Sequence, residues 1–327
     1  MKALVQDIYG TSDVLRIEDV DRPEPTHGEV LVRIVAASVN AADWHIMRGE
    51  PRIARLMDRS IFGRTGPRER IRGRDLAGTI EALGPGVTGW QVGDPVLGEA
   101  DATFAQYATV AEGCLARKPE ALSFEDAAAL PLAAVTADLC LARGRVEEGD
   151  RVLVVGASGG VGTFAVQLAA ARGATVTGVC STRNVDLVTS LGATEVVDYT
   201  ADDFTRTGVT YDCVLDLVGN RTLRDLRRTV VPGGTLVLSG GGNAGEGTHL
   251  GPVGLMAKGR IFGRLLGLRI EIPLATPDAQ RLTELAAMAA SRQVRCVVDR
   301  RYALPDAAAA VRHVEVEHTR GKVVVTM

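Results

Sequence analysis

The rhythm of apolar and polar positions changes once along the chain. Glu29 to Ala37, EVLVRIVAA, alternates with a period of two, which predicts a strand with one wet face. Thr79 to Leu83, and the run entered through Gly93, Asp94, Pro95 and Val96, are further short strands set between glycine and proline punctuation. From about Phe124 the pattern becomes helical. Glu125 to Leu130 and Ala133 to Arg143 are rich in alanine and leucine, and short β-branched runs then alternate with helical stretches. The runs are Arg151 to Val155, Ala174 to Val179, Glu195 to Val197, Cys213 to Leu217 and Thr235 to Ser239, with Ile270 to Ile272 as a sixth. Such alternation predicts βαβ units and a doubly wound parallel sheet, hence an α/β fold. Gln280 to Ser291 reads as a helix. Gln293 to Val298 and Lys322 to Thr326 read as strands that return to the first, β-rich domain. The expected division is therefore 1–122 with 273–327, and 123–272.

A length of 327 residues is enough for two cores. Hydrophobic content of 46% with 24% charged residues is that of a soluble globular protein. The net charge of -3 argues against nucleic acid or an anionic membrane as a partner. No apolar run approaches the roughly 18 residues of a membrane span, and the first residues, MKALVQDIYG, show no signal-peptide core, so the expected location is the cytoplasm. Cys114, Cys140, Cys180, Cys213 and Cys296 are scattered and never form a C-x-x-C pair, which gives neither a disulfide framework nor a local zinc site.

The chemistry starts at Asp150 to Ala170, DRVLVVGASGGVGTFAVQLAA, where a strand turns through glycines into a helix. Gly159 and Gly162 are the second and third glycines of a G-x-G-x-x-G pattern whose first position is Ala157. Gly156, Ser158, Gly160 and Val161 complete the turn. Unpaired N–H groups and a helix dipole converge there, which suits a pyrophosphate. A tight βα turn without a ligand remains the bland alternative. Gly149, Leu153, Ala157, Ser158, Gly159, Gly160, Gly162 and Gln167 together resemble the signature of the zinc-independent quinone reductases, a branch of the medium-chain dehydrogenase/reductase superfamily. Ala170 departs from the Lys, Arg or Ser that ends the signature. The resemblance implies a Rossmann dinucleotide-binding domain joined to a GroES-like, barrel-like, β-rich catalytic domain, in which "VGDPV" matches a recurring strand entry.

About twenty residues beyond the glycine turn, an NAD site would place a carboxylate on the ribose. The strand Ala174 to Val179 instead runs into Cys180, Ser181, Thr182 and Arg183. Two hydroxyls and a guanidinium fit a 2′-phosphate, so NADPH is the expected cofactor. Ser181 or Thr182 is equally placed to cap the helix holding Val185 to Leu191. The resemblance adds Tyr199 beside the 2′-phosphate, Thr136 at the nicotinamide end, and Val218 with Gly219 in the turn after the fourth strand. It also implies Ser239, Gly240, Gly241 and Gly242 near the carboxamide, Lys322 near the cofactor, and a homodimer.

In zinc-dependent relatives a cysteine and a Gly-His-Glu hold the metal; here those positions are Asn40 and Gly73, Arg74, Asp75. Too few soft ligands remain, so no metal is expected. Without a Lewis acid, reduction is the easier direction, and a quinone or conjugated carbonyl is the expected acceptor. "AASVNAADWH", Ala36 to His45, resembles the segment that forms the reaction cleft. Asn40 is the candidate for orienting an acceptor carbonyl or the nicotinamide ribose, Asp43 for holding Asn40 or His45, and His45 for donating a proton, with a structural histidine as its alternative. Trp44 is either a pocket wall or core. Met47 to Arg74 carries nine arginines and reads as a solvated surface or a basic lid. The apolar segment His249 to Leu268 reads as a sheet cover, a dimer face or a pocket wall. An enal, enone or enoyl-thioester reductase and a non-catalytic NADPH binder stay open beside the quinone reductase.

Overall fold

The six short apolar runs of the second half form one sheet in the computed structural model, which describes residues 1–240, 251–263, 267–317 and 319–327. Its order is Glu195–Asp198, Thr175–Cys180, Arg151–Val155, Tyr211–Asp216, Val230–Leu238 and Arg269–Glu271, and every pairing is parallel. In chain order this is 3-2-1-4-5-6, the doubly wound Rossmann arrangement. Strands buried on both faces need continuous rather than alternating hydrophobicity, and Arg151–Val155 is buried at every position after its first residue. The core joins Leu153, Val155, Val179, Val214, Leu236 and Leu238 from the strands to Phe204, Leu223 and Leu226 from the connections. The sheet belongs to a unit made of Thr136–Ala275 and Gln293–Val297.

The other unit comprises Met1–Val135, Thr276–Arg292 and Val298–Met327. Its main sheet runs Val298–Ala303, Lys322–Thr326, Glu29–Val39, Asp75–Leu83, Pro95–Glu99 and Leu115–Arg117, with Tyr107–Ala111 also paired to Glu29–Val39. This is the GroES-like β-rich domain. Glu29–Val39 does not keep the wet face its alternation predicts: only Arg33 is exposed. The strand pairs with three others, and the helix Phe124–Ala128 packs across it.

The same packing moves the boundary. Phe124–Ala128 lies on Glu29–Val39 and Asp75–Leu83, so the first unit extends to Val135 rather than ending at residue 122. Gln293–Val297 forms no strand and stays with the second unit, because Gln167 Nε2 donates to the Arg295 carbonyl at 3.0 Å while the Arg295 N–H donates to Gln167 Oε1 at 2.7 Å.

Much of the arginine-rich stretch is tied to its own unit, and these contacts describe a surface better than a basic lid. Arg48 pairs with Glu315, Arg70 with Asp7 and Glu18, and Arg55 bonds Gly49 O at 2.7 Å with its guanidinium 4.0 Å from the Tyr9 ring centre. Arg72 is buried and donates to Glu69 O. Within His249 to Leu268, Gly251–Phe262 is helical, with Leu255 and Met256 packed on the core of the parallel sheet; His249 lies outside the described residues. Among the described residues no helix is long and apolar enough to cross a membrane.

Candidate active site

The glycine turn follows the central strand of the parallel sheet. Gly156 has φ +85°, a conformation that disfavours any side chain. A Cβ on Gly162 would lie 2.0 Å from the Gly156 carbonyl oxygen, so only glycine lets the helix Gly160–Ala171 start this close to the strand end. Ala157 replaces the first glycine of the pattern because the adjacent strand carries Gly178. A Cβ on Gly178 would stand 3.1 Å from the Ala157 methyl. The N–H groups of Gly160, Val161 and Gly162 have no intrahelical acceptor, as in any first turn, and are available to an anion.

Beside this turn lies a corner that the sequence only half revealed. Asn184 is buried, and its Nδ2 donates to Ser158 Oγ at 3.0 Å and Ser181 Oγ at 3.2 Å. Each serine oxygen thereby accepts from Asn184, which leaves its own proton free for another acceptor. Asn184 Oδ1 is buried without a partner. Two hydroxyl donors and the helix start thus face one region, the chemistry of an anion site. Tyr199, 42% exposed, is brought to the same strand ends by its N–H bond to Cys180 O at 3.0 Å.

Thr182 behaves differently from the expectation. Its hydroxyl donates to Asp198 Oδ2 at 2.5 Å, a carboxylate from the third strand in chain order, so it pins two strand ends together and keeps no proton for a phosphate. Ser181 precedes a short 3-10 turn, Thr182–Asn184, and its side chain makes no cap bond; the helix Val185–Ser190 begins beyond it. Burial and the nearby Asp198 push the Cys180 thiol up to about 11, which makes it unreactive.

At the ends of the fourth and fifth strands the backbone closes up. Asp216 Oδ1 accepts the N–H groups of Val218 at 3.1 Å and Gly219 at 2.9 Å. Gly240 lies so close to this turn that a Cβ would meet Val218 and Gly219 backbone atoms at 2.4 to 2.6 Å. Ser239 N–H bonds Asp216 O at 3.0 Å. Thr136 is half-buried on the helix Pro131–Gly144. Gly241 and Gly242 lie outside the described residues.

The β-rich unit gathers a second polar group, and it is buried. Asp75 Oδ2 accepts from Ser38 Oγ at 2.6 Å, Asn40 Nδ2 at 2.9 Å and the Lys322 ammonium at 3.2 Å, while Oδ1 accepts the Leu132 N–H at 3.0 Å. Lys322 also donates to Asn40 Oδ1. Both ends of the Asn40 amide are therefore held by the protein. Asp43 Oδ2 takes the Asn40 backbone N–H at 2.8 Å, and burial pushes the Asp43 carboxyl up to about 6.

The resemblance implies Lys322 near the cofactor; its buried pairing with Asp75 is a separate feature that the sequence does not show. Asp75 drew notice only as a displaced metal ligand.

His45 does not have the ionisation of a proton donor. Burial lowers it to about 4, so the ring is neutral near pH 7. Its Nδ1 lies 3.1 Å from Glu50 O, an acceptor, which puts the single proton on Nδ1 and leaves a bare, buried Nε2 with no partner. His45 can accept a hydrogen bond there rather than give one. Trp44 is buried and stacks on His45 with ring centres 3.6 Å apart.

A neutral amide at Asn40, a guanidinium at Arg74 and an Asp75 already carrying a lysine cation are not a zinc donor set.

Two family models match parts of the chain. Residues 26–120 match the family model described as "Alcohol dehydrogenase GroES-like domain", and residues 191–325 that described as "Zinc-binding dehydrogenase". The mouse (Mus musculus) protein "NAD(P)H oxidoreductase RTN4IP1, mitochondrial" is 31% identical over 100% of this chain and 89% of its own length. The "2-methylene-furan-3-one reductase" of Solanum lycopersicum is 35% identical over 67% of this chain, a match spanning 57% of that relative. The solved structure of the quinone oxidoreductase from Coxiella burnetii covers 100% of this chain and 99% of its own with TM-score 0.87 and 28% identity. A mycobacterial structure complexed with NADPH covers 100% of both chains with TM-score 0.82 and 28% identity. By its fold, its glycine turn and these likenesses, the chain belongs to the quinone-oxidoreductase-like branch of the medium-chain dehydrogenase/reductase superfamily, a family of oxidoreductases.

Proposed function

We propose that the protein is an NADPH-dependent, zinc-independent reductase that passes hydride to a quinone or a related conjugated carbonyl. The observation that supports the reading is the corner where Asn184 Nδ2 donates to both Ser158 Oγ and Ser181 Oγ beside the helix start of the glycine turn, so that each serine keeps its own proton for another acceptor. Arg183 stands in the same segment. These residues would hold the phosphates of NADPH, with Val218, Gly219, Ser239 and Gly240 shaping the backbone at the nicotinamide end. Bound there, the reduced nicotinamide supplies the hydride.

The Asn40, Asp75 and Lys322 cluster fixes the start of the helix Ala41–Arg48, on which His45 keeps a buried Nε2 without a partner. Asn40 acts here as a clamped positioning group, since neither end of its amide is idle. The tomato relative's name points to an enone as acceptor, and this is the second reading within the same chemistry. The strand Arg269–Glu271 is an edge of the parallel sheet, and we propose that a second copy pairs there to make a homodimer.

NADPH oxidation followed against quinones, enals, enones and enoyl thioesters tests the activity, and light scattering of the eluted protein tests the dimer. Arg183→Ala should raise the Michaelis constant for NADPH about 10- to 100-fold, the worth of a charged hydrogen bond, and leave that for NADH in place. An unchanged NADPH constant removes Arg183 from the site. Tight NADPH binding with no turnover on any acceptor replaces the enzyme by a binder.

A further inference from the structure

Glu99 lies opposite Asp75 in the antiparallel pairing of Pro95–Glu99 with Asp75–Leu83, so the two carboxyl side chains share one face of the sheet. Both are buried, Asp75 at 0% exposure and Glu99 at 3%. Two like charges directly across a ladder repel, and burial removes the water that would screen them. The partners decide which residue yields. Asp75 has donors on both oxygens, from Ser38, Asn40, Lys322 and the Leu132 N–H, and offers no place for a proton. Glu99 Oε2 has no partner at all.

We propose that Glu99 is the proton-holding member of this carboxyl pair, and that its proton positions Asn40 and Lys322 by keeping a second negative charge away from Asp75. The inference rests on the reading of that cluster as part of the reductase site. The charged and titratable groups that act on Glu99 are Asp75 on the neighbouring strand, Arg74 just before it, Lys322 on the C-terminal strand and Cys114, and Glu69, Asp101 and Tyr107 line the same recess as Glu99. Burial and Asp75 push the Glu99 carboxyl up, Arg74 and Lys322 draw it down, and it settles at about 7. A recess of about 510 Å³ in the same unit is lined by Glu99, Arg74, Asp101, Tyr107 and Cys114.

When Glu99 ionises, Lys322 faces two carboxylates in place of one, and its hold on Asn40 Oδ1 weakens. Positioning should thus fail as the pH rises through the neutral range. Glu99→Gln keeps the shape and the neutral state of the protonated acid, and so should keep the geometry at every pH.

The experiment follows two signals across pH 5.5 to 9 (roughly two units either side of the expected midpoint). One is kcat/KM for the best acceptor with NADPH. The other is the Asn40 side-chain amide resonance in labelled protein without cofactor, assigned by its loss in Asn40→Ala. In the wild type the Asn40 amide should show a step near pH 7 besides the one near 6 that Asp43 contributes through the Asn40 N–H, and kcat/KM should fall several-fold across the step near 7. In Glu99→Gln both should lose that step. Glu99→Leu, uncharged and of similar bulk, should do the same and serves if the glutamine variant does not fold. Asp101→Asn, which removes a rim carboxylate, should leave the midpoint where it is.

An Asn40 resonance that titrates alike in wild type and Glu99→Gln, or has no step near pH 7 in the wild type, overturns the proposal. If no acceptor is turned over yet the Asn40 step is present and lost in Glu99→Gln, the positioning stands and the reductase reading fails.

Discussion

Replacing Lys322 by methionine tests the buried cluster where its energy is concentrated. The Lys322 side chain is 2% exposed and that of Asp75 0%, with 3.2 Å between Nζ and Oδ2. Removing one partner of such a pair leaves an uncompensated buried charge, which costs about 3–5 kcal/mol. Ser38, Asn40 and Leu132 still donate to Asp75, which pulls the carboxylate part of the loss toward the lower figure. Asn40 Oδ1 simultaneously loses the Lys322 bond, and an orphaned buried acceptor adds about 1–3 kcal/mol. A total of about 4–6 kcal/mol is expected. Urea unfolding followed by tryptophan fluorescence reads it directly, because Trp44 and Trp90 both lie in the β-rich unit. Adding Asp75→Asn to Lys322→Met removes the stranded charge and should recover about 2 kcal/mol or more, a coupling that a double-mutant cycle isolates. A loss below about 1 kcal/mol, or two variants whose costs simply add, would refute a buried pair as the cluster's support.

Two further predictions concern other parts of the fold. Gly162→Ala, whose Cβ would sit 2.0 Å from the Gly156 carbonyl oxygen, should lower stability by about 1–3 kcal/mol, whereas Gly159→Ala, whose nearest contact is 3.4 Å, should stay within about 0.5 kcal/mol; thermal unfolding without cofactor separates them. His45 is lowered from 6.5 to about 4 in the fold, so the unfolded chain binds its proton first. Its contribution is present above pH 6.5 and lost as the pH falls through 4, up to about 3 kcal/mol in all. Asp43, raised from 3.8 to about 6, contributes in the opposite sense, with stability present below pH 3.8 and lost as the pH rises through about 6. The measurement is therefore the difference between wild type and His45→Phe across that range, and a difference independent of pH would contradict the buried, neutral imidazole.

Part of this molecule is written in local sequence. The short β-branched runs between Arg151 and Glu271 became the strands of one parallel sheet, because a strand buried on both faces needs only a continuous apolar run. The glycine turn was legible for a similar reason, since Gly156 requires a positive φ and Gly162 a close backbone approach, both properties of single residues. Even Ala157, a departure from the pattern, has its explanation in one residue of the next strand, Gly178. The two units depart from the expected bounds at Phe124–Ala128, whose face packs on strands far back in the chain, and at Gln293–Val297, which Gln167 holds.

What the sequence could not supply were the partnerships between distant segments. Nothing near Lys322 announces Asn40, 282 positions away, and nothing near Glu99 announces Asp75. Asn184 and Thr182 stand two residues apart, yet one orients the serines of the anion corner while the other is tied to Asp198. His45 looked like a proton donor at its ordinary ionisation, and only its burial against Trp44 and the Glu50 carbonyl made it an acceptor. Chain-local chemistry, backbone conformation and apolar period thus determined the strands, the sheet and the glycine turn. Strand register and burial decided the ionisation and the partners of the site, because a charge removed from water takes its state from whatever group the fold places against it.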